Sequence, residues 1–281
     1  MTTPWRRVAV CVDDFGLNAA VNDGAWRLVE QGRVRTLACL STAPAWAEAA
    51  RRLRGQADAR VEAGLHLNLT EAFGPGTWRR GLGSLILSAY SIGLPPRRLR
   101  DEIATQLDAF EQALGAAPRF VDGHQHVHQL PGVRETLLQE LQRRYPVQRP
   151  WLRDTRPPRR HEGSGQAVAF KPRLIAALGA ARLAALARDG GFVQNRGMLG
   201  VYDFSGTAQA YADRLLGWCA DLADGGLLIC HAASAPVPGD PIAPARVREF
   251  EVLGSEGFGR LLREQRLSVG RLSEVLRGAE A

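Results

Sequence analysis

The chain has 281 residues, 45% of them apolar and 23% charged, with a formal net charge of +7. That is enough for one large core or two small ones, which excludes a disordered or fibrous protein and suits a globular enzyme. Lys171 is the single lysine, and the arginines are interleaved with acids, as in Arg100-Asp101-Glu102 and Arg248-Glu249, so they read as solvated helix faces; runs such as Arg51 to Arg54 and Arg153 to Arg160 are candidate anion sites.

The first predicted strand, Arg7 to Val12, ends in Asp13-Asp14-Phe15-Gly16. A helix follows over Asn18 to Gln31, stopped by Gly32. Thr36 to Ser41 reads as a strand, Ala45 to Leu53 as a helix closed by Gly55, and Arg60 to Leu67 as a third strand running into His66. From Thr70 to Pro96 the pattern dissolves into Gly, Pro and Arg, which predicts a long irregular connection of the kind used as a lid or binding loop. Leu99 to Leu114 is amphipathic at helical period, Arg119 to His124 is a fourth strand, Val133 to Arg143 a helix and Pro150 to Arg153 a fifth strand. Arg156 to Gln166 is a polar insertion, and Pro172 to Arg188 an alanine-rich helix with proline at its start. A loop to Phe204, the helix Thr207 to Leu222, a last strand Gly226 to Cys230 ending at His231, and two or three short helices complete the chain.

Strands alternating with helices, about seven such units, predict a parallel sheet in a single α/β domain over residues 1–281, a closed or nearly closed (β/α) barrel with long loops on its active face. Active sites of such barrels lie at the C-terminal ends of the strands. Asp13, Asp14, His66, His124, Arg153 and His231 all fall within a residue or two of such ends, which scattered surface residues would have no reason to do.

Asp13 and Asp14 are adjacent, so they point to different sides of the chain: one can ligate a metal while the other faces the substrate. His66 and Asn68 share the polar face of an alternating strand end. In Asp122-Gly123-His124-Gln125-His126-Val127-His128, continued alternation would set Asp122, His124, His126 and His128 on one side, costly in a core without a metal, water or substrate to satisfy them. His124 is nearest the strand end and best placed to ligate; Asn68, Asp122, His126 and His128 are expected to line the substrate cleft or support the ligands. One carboxylate with two imidazoles suits zinc, and also magnesium, manganese, cobalt or nickel when waters complete the shell. His231 is placed for a general acid, and Arg153 to orient Asp13 or hold an anionic intermediate.

Asp13-Asp14-Phe15-Gly16-Leu17, Gly64 to Thr70, Pro118 to His128 and Cys230-His231 together resemble the successive motifs of the YdjC-like carbohydrate deacetylases. The resemblance implies a distorted (β/α) barrel of the polysaccharide deacetylase type that removes acetyl from N-acetylated amino sugars. It implies ligands at Asp14, His66 and His124, a base at Asp13 and an acid at His231. Ala232 stands where many relatives carry proline. Asn195 to Phe204 and the loop after Thr70 resemble the branch linked to hopanoid lipid biosynthesis, which implies a glycolipid substrate.

The competing readings are a metal phosphoesterase or amidohydrolase, which would carry its His-x-His pair on the first strand, and a non-catalytic binder of nucleic acid or other anions, which leaves the strand-end residues unexplained. Cys11, Cys39, Cys219 and Cys230 lack CxxC spacing and sit in apolar runs, so buried thiols in a reducing, cytoplasmic setting are expected. No segment has about 18 continuous apolar residues, so no transmembrane span is expected. The expected partners are an N-acetylated sugar or glycolipid rather than nucleic acid, with a homodimer left open.

Overall fold

The computed structural model describes residues 4–54, 60–74, 78, 80–158 and 170–277. Strand β1 (Arg6–Phe15) has eight consecutive buried residues, the pattern of a parallel strand covered on both faces. Around it lie β2 (Thr36–Cys39), β3 (Glu62–Leu67), β4 (Phe120–Gly123), β5 (Trp151–Leu152), β6 (Met198–Leu199) and β7 (Leu227–Cys230) in the spatial order β5-β4-β3-β2-β1-β7-β6, all pairs parallel. The sheet curls until its edges meet: the Leu152 N–H donates to the Val193 carbonyl at 2.9 Å, and Leu152 bridges Gln194, just ahead of β6. The result is the distorted barrel expected from the sequence.

Helices α1 (Ala19–Glu30), α2 (Trp46–Leu53), α4 (Pro96–Leu114), α5 (Val133–Arg144) and α8 (Ala208–Asp221) wrap the outside. The Asn18 side chain accepts from the Val21 N–H to start α1, and Thr207 does the same for α8 from Ala210, so both predicted starts are real caps. Alternate residues of β1 divide the core. Val8, Val10 and Val12 join the cluster between sheet and helices, while Ala9 and Cys11 join an inner cluster with Phe120, Trp151, Leu227 and Ile229. Phe120 stacks on Trp151 with centroids 4.4 Å apart. It fills the space beside Gly64, where any Cβ would stand 2.3 Å from its ring. Asp13 continues the Ala9-Cys11 face, so the inner column ends in a carboxylate at the mouth. The opposite end is closed by α11 (Leu272–Arg277), whose Leu272 and Ser273 N–H groups donate to buried Glu62 at 2.6 and 3.2 Å. All four cysteines are buried and free.

Five local expectations give way, the first being that the segment read as a loop to Phe204 holds the short strand β6. The connection Thr70 to Pro96 contains a helix, α3 (Leu82–Tyr90), because Leu85, Ser88 and Ala89 find a buried face against the body. The helix predicted over Pro172 to Arg188 is two, α6 (Phe170–Ala177) and α7 (Ala180–Asp189), broken at Gly179. There φ is +118° and a Cβ would stand 2.4 Å from the Gln129 carbonyl, so the chain must turn at a residue without one. After α9 (Ala243–Gly254) and α10 (Glu256–Glu264) the tail adds a short strand, β8 (Leu267–Val269), paired to the start of β1, where only helices were expected. The fourth strand stops at Gly123, and residues 124–129 coil into a short 3-10 turn. Gly55 and the insertion from Arg159 onward lie outside the described residues.

Candidate metal centre

At the end of β1 the chain turns at Asp14, whose φ of +66° is the left-handed conformation that side-chain-bearing residues adopt at some cost. The turn sends the two adjacent carboxylates apart. Asp13 points inward to the Arg153 guanidinium, which grips it with Nη1 to Oδ2 at 2.7 Å and Nη2 to Oδ1 at 2.6 Å. Asp14 points to the mouth, with Oδ1 2.8 Å from His124 Nδ1 and 3.4 Å from His66 Nε2. These three donor atoms lie within 4.8 Å of one another, close enough to share one ion.

His66, on β3, is held from behind. Its Nδ1 lies 2.6 Å from Asp122 Oδ1 across the β3–β4 pairing, so a hydrogen on Nδ1 is donated to the carboxylate and Nε2 is the atom turned toward Asp14, free to ligate a cation once it gives up its own proton. Asp122, expected among the cleft residues, is fully buried behind His66 and also contacts Arg153. His124 opens the 3-10 turn, with its side chain 15% exposed. Gln125 and His126 then take φ values of +52° and +60°, which breaks the strand alternation expected for the three histidines. His128 folds back over Gly123, where a Cβ would stand 2.8 Å from the His128 nitrogen, and its Nε2 bonds the Arg153 carbonyl at 3.0 Å. His128 is therefore buried, and half-buried His126 remains at the mouth. Asn68 is spent on its own loop: Oδ1 accepts from Thr70 and Glu71 N–H at 3.0 and 2.9 Å, and its amide donates to the Glu71 carbonyl.

His231, just past β7, is 17% exposed, its ring edge-on to Phe204 at 5.1 Å and its Nδ1 3.9 Å from Glu249. Glu249, which the sequence placed on a solvated helix face, is fully buried and accepts from the Tyr202 hydroxyl at 2.7 Å and the His231 N–H at 2.5 Å. The largest omission of sequence reasoning is Arg246 on α9. It donates to Asp14 Oδ2 at 2.7 Å, to Asp240 at 2.6 Å and to the His231 carbonyl at 3.2 Å. Nothing in the pattern around it distinguishes it from a surface arginine. Arg153, by contrast, is fully buried and no part of a surface anion site.

The electrostatics favour a bound cation. Arg153 pairs with Asp13 and Asp122, Arg246 with Asp14 and Asp240, so these four carboxylates exceed the two guanidiniums by two negative charges. Burial alone would push Asp14 up, but His124 and Arg246 hold it well below the usual carboxylate range, and Arg153 does the same for buried Asp13. Burial disfavours a charge on His66, yet Asp122 and Asp13 raise it to about 10. A proton on this imidazole partly fills the role that a divalent ion, whose charge matches the excess, would fill completely. The donor set of carboxylate and imidazoles and the carboxylate behind His66 both fit such an ion.

A family model described as YdjC-like protein matches residues 7–264. Human carbohydrate deacetylase is 34% identical over 157 residues, 50% of this chain and 47% of the human one, so the chain spans about half the length of the curated relatives it matches. Among solved structures, a protein of Enterococcus faecalis, provisionally a cellobiose-phosphate cleavage protein, superposes with a TM-score of 0.69 at 18% identity, over 96% of this chain and 99% of that one. A family 4 acetyl xylan esterase from Clostridium thermocellum, solved with a cobalt ion, superposes with a TM-score of 0.52 at 14% identity, over 98% and 93%. The fold is that of the polysaccharide deacetylases.

Proposed function

The chain belongs to the YdjC-like protein family, and on that premise we propose that it is a divalent-metal-dependent deacetylase of N-acetylated amino sugars. The observation that carries the reading is the convergence of Asp14 Oδ1, His66 Nε2 and His124 Nδ1 beside an Asp13 held by Arg153. Asp14, His66 and His124 are the ligands; zinc and magnesium are the favoured ions. When bound, the ion acidifies a water and polarises the amide carbonyl, which lets a base as weak as Asp13 serve.

Asp13 takes the proton of the attacking water, and Arg153, bonded to both of its oxygens, fixes the direction from which it does so. Asp122 sets the His66 tautomer and ties it to the same arginine. His231 carries a proton to the leaving amine on Nε2, its ring steadied by Phe204 and its backbone N–H by Glu249. His126 lines the mouth beside them. The resemblance to the hopanoid-linked branch makes a sugar carried on a lipid the substrate to test beside free oligosaccharides.

The test is acetate release from N-acetylglucosamine oligomers and from an N-acetylglucosaminyl lipid, after metal removal and add-back. Asp14→Ala, His66→Ala and His124→Ala should lose bound metal. Asp13→Ala should keep it while turnover falls by about 10²–10⁴-fold, the usual cost of losing a general base. Full metal occupancy in His124→Ala, with loss in His126→Ala, would reassign the ligands.

A further inference from the structure

Between Glu71 and Asp101 the chain carries five arginines, at 79, 80, 97, 98 and 100, and no acidic residue. Within that stretch lies α3, whose sequence Leu-Gly-Ser-Leu-Ile-Leu-Ser-Ala-Tyr is apolar nearly all round. One face is used: Leu85, Ser88 and Ala89 are buried, and the Arg80 guanidinium bonds Ser88 Oγ at 2.7 Å. The other face, Leu87 and Tyr90 one turn apart, is 69% and 53% exposed, and Ile92 just beyond the helix is 85% exposed. Three of the eight exposed large apolar side chains among the described residues therefore fall within six positions, where scattered ones would need no explanation.

Exposed Arg97, Arg98 and Arg100 follow at once on α4, and Arg80 and Arg98 both lie over the buried Trp78 ring, 5.8 and 5.3 Å from its centroid, which ties the basic residues to the apolar tip as one unit. The tip stands at the mouth end of the barrel. It follows the C-terminal end of β3, and Leu94 packs beside Gly132, where a Cβ would stand 3.9 Å from it, three residues after the turn that begins at His124.

We propose that the α3 tip, Leu87, Tyr90 and Ile92 with its arginines, docks on an anionic phospholipid bilayer. An apolar face that sinks into the headgroup boundary, flanked by guanidiniums that meet lipid phosphates, is the construction of an interfacial helix. The charge favours this occupant over a second copy of the chain, since a two-fold contact through the tip would set Arg80, Arg97, Arg98 and Arg100 of each copy against those of the other, with Asp101 and Glu102 only at the margin of the patch to offset them. The site's mouth would then face the membrane.

The test is vesicle co-sedimentation of the full chain, with phosphatidylcholine alone and with phosphatidylglycerol added, at low and high salt, alongside light scattering for oligomeric state. Binding should require phosphatidylglycerol, weaken at least ten-fold at high salt, and fall at least ten-fold in a Leu87→Ser, Tyr90→Ser, Ile92→Ser variant. That variant should keep its circular dichroism, its oligomeric state and its turnover of a soluble acetylated sugar. A separate Arg97→Glu, Arg98→Glu variant should lose binding with the apolar tip intact. No binding to either vesicle, binding unaffected in both variants, or dissociation of an oligomer in the serine variant would overturn the proposal; the last would assign the face to a second copy. The readout is independent of deacetylation, so it stands or falls apart from the metal centre.

Discussion

Asp122 shows how burial changes the role of a residue that sequence alone places at a site. With Oδ1 2.6 Å from His66 Nδ1 and its other oxygen on Arg153, it has no open side for a substrate. Its replacement by asparagine would present an amide that can donate to His66 Nδ1, moving the imidazole hydrogen to Nε2, the atom that faces Asp14. Asp122→Asn should therefore weaken divalent-metal affinity by about 10–100-fold, as loss of a carboxylate behind a ligating histidine does elsewhere. Competition against a calibrated chelator measures this. A raised KM with unchanged metal affinity would return Asp122 to the cleft. The carboxylates and histidines were legible because polar residues at strand ends are costly without a purpose. Arg246 was not legible, because its partner Asp14 is 232 residues away and its neighbours on α9 carry the ordinary spacing of a solvated helix. Glu249 was misread for the same reason: the helix packs down on His231 and Tyr202, which no local pattern reports.

At the scale of elements, β1 and β7 were readable from continuous apolar runs, and β3 and β4 from short runs mixing apolar and polar residues, because such runs between helical segments admit few other forms. Where the chain departed from expectation, the cause was a contact made at long range or a left-handed residue: Gly179 splitting α6 from α7, Gln125 and His126 ending the fourth strand's alternation, and α3 given its buried face only by the body. The α4–α5 pair on the outside of the sheet offers a measurable case of element-to-element coupling. Glu140, 3% exposed on α5, accepts from Arg143 and Arg144, and Arg144 reaches across to Asp108 and Glu111 on α4 at 2.7 and 3.2 Å. The Arg143 hydrogen bonds, against the opposing push of burial and with help from Arg144, lower the Glu140 carboxyl from 4.5 to about 2. A carboxyl depressed in the folded state adds stability above its unfolded value and loses it as pH falls through the folded one. Because the Arg143 side chain is 67% exposed, screening reduces the worth of the cluster to roughly 1–2 kcal/mol. Glu140→Gln should cost that much in urea unfolding at pH 7, and the gap to wild type should close as pH falls from 4.5 toward 2. A gap independent of pH over that window would mean that packing, not charge, carries the effect.

The whole molecule brings its metal-binding candidates together from distant parts of the chain, Asp14 at the end of β1, His66 on β3 and His124 after β4, with β2 between the first two and α9 bracing Asp14 through Arg246. An ion held there joins strands that the unfolded chain keeps apart, so it binds the folded state alone and stabilises it by mass action. At a free metal concentration about 100 times the dissociation constant, the gain is about 2.7 kcal/mol. For a chain of this size that raises Tm by roughly 5–10 °C. Thermal unfolding in chelator, and then with zinc or magnesium restored, should show this rise. It should vanish in Asp14→Asn, which removes a ligand, and persist in Asp13→Asn, whose side chain faces Arg153 instead. The contrast between adjacent carboxylates separates a bound ion from a general effect of salt, which would shift both variants alike. Equal shifts in the two, or none in the wild type with any divalent ion, would leave the buried cluster as a network of ion pairs and remove the basis for metal-assisted hydrolysis.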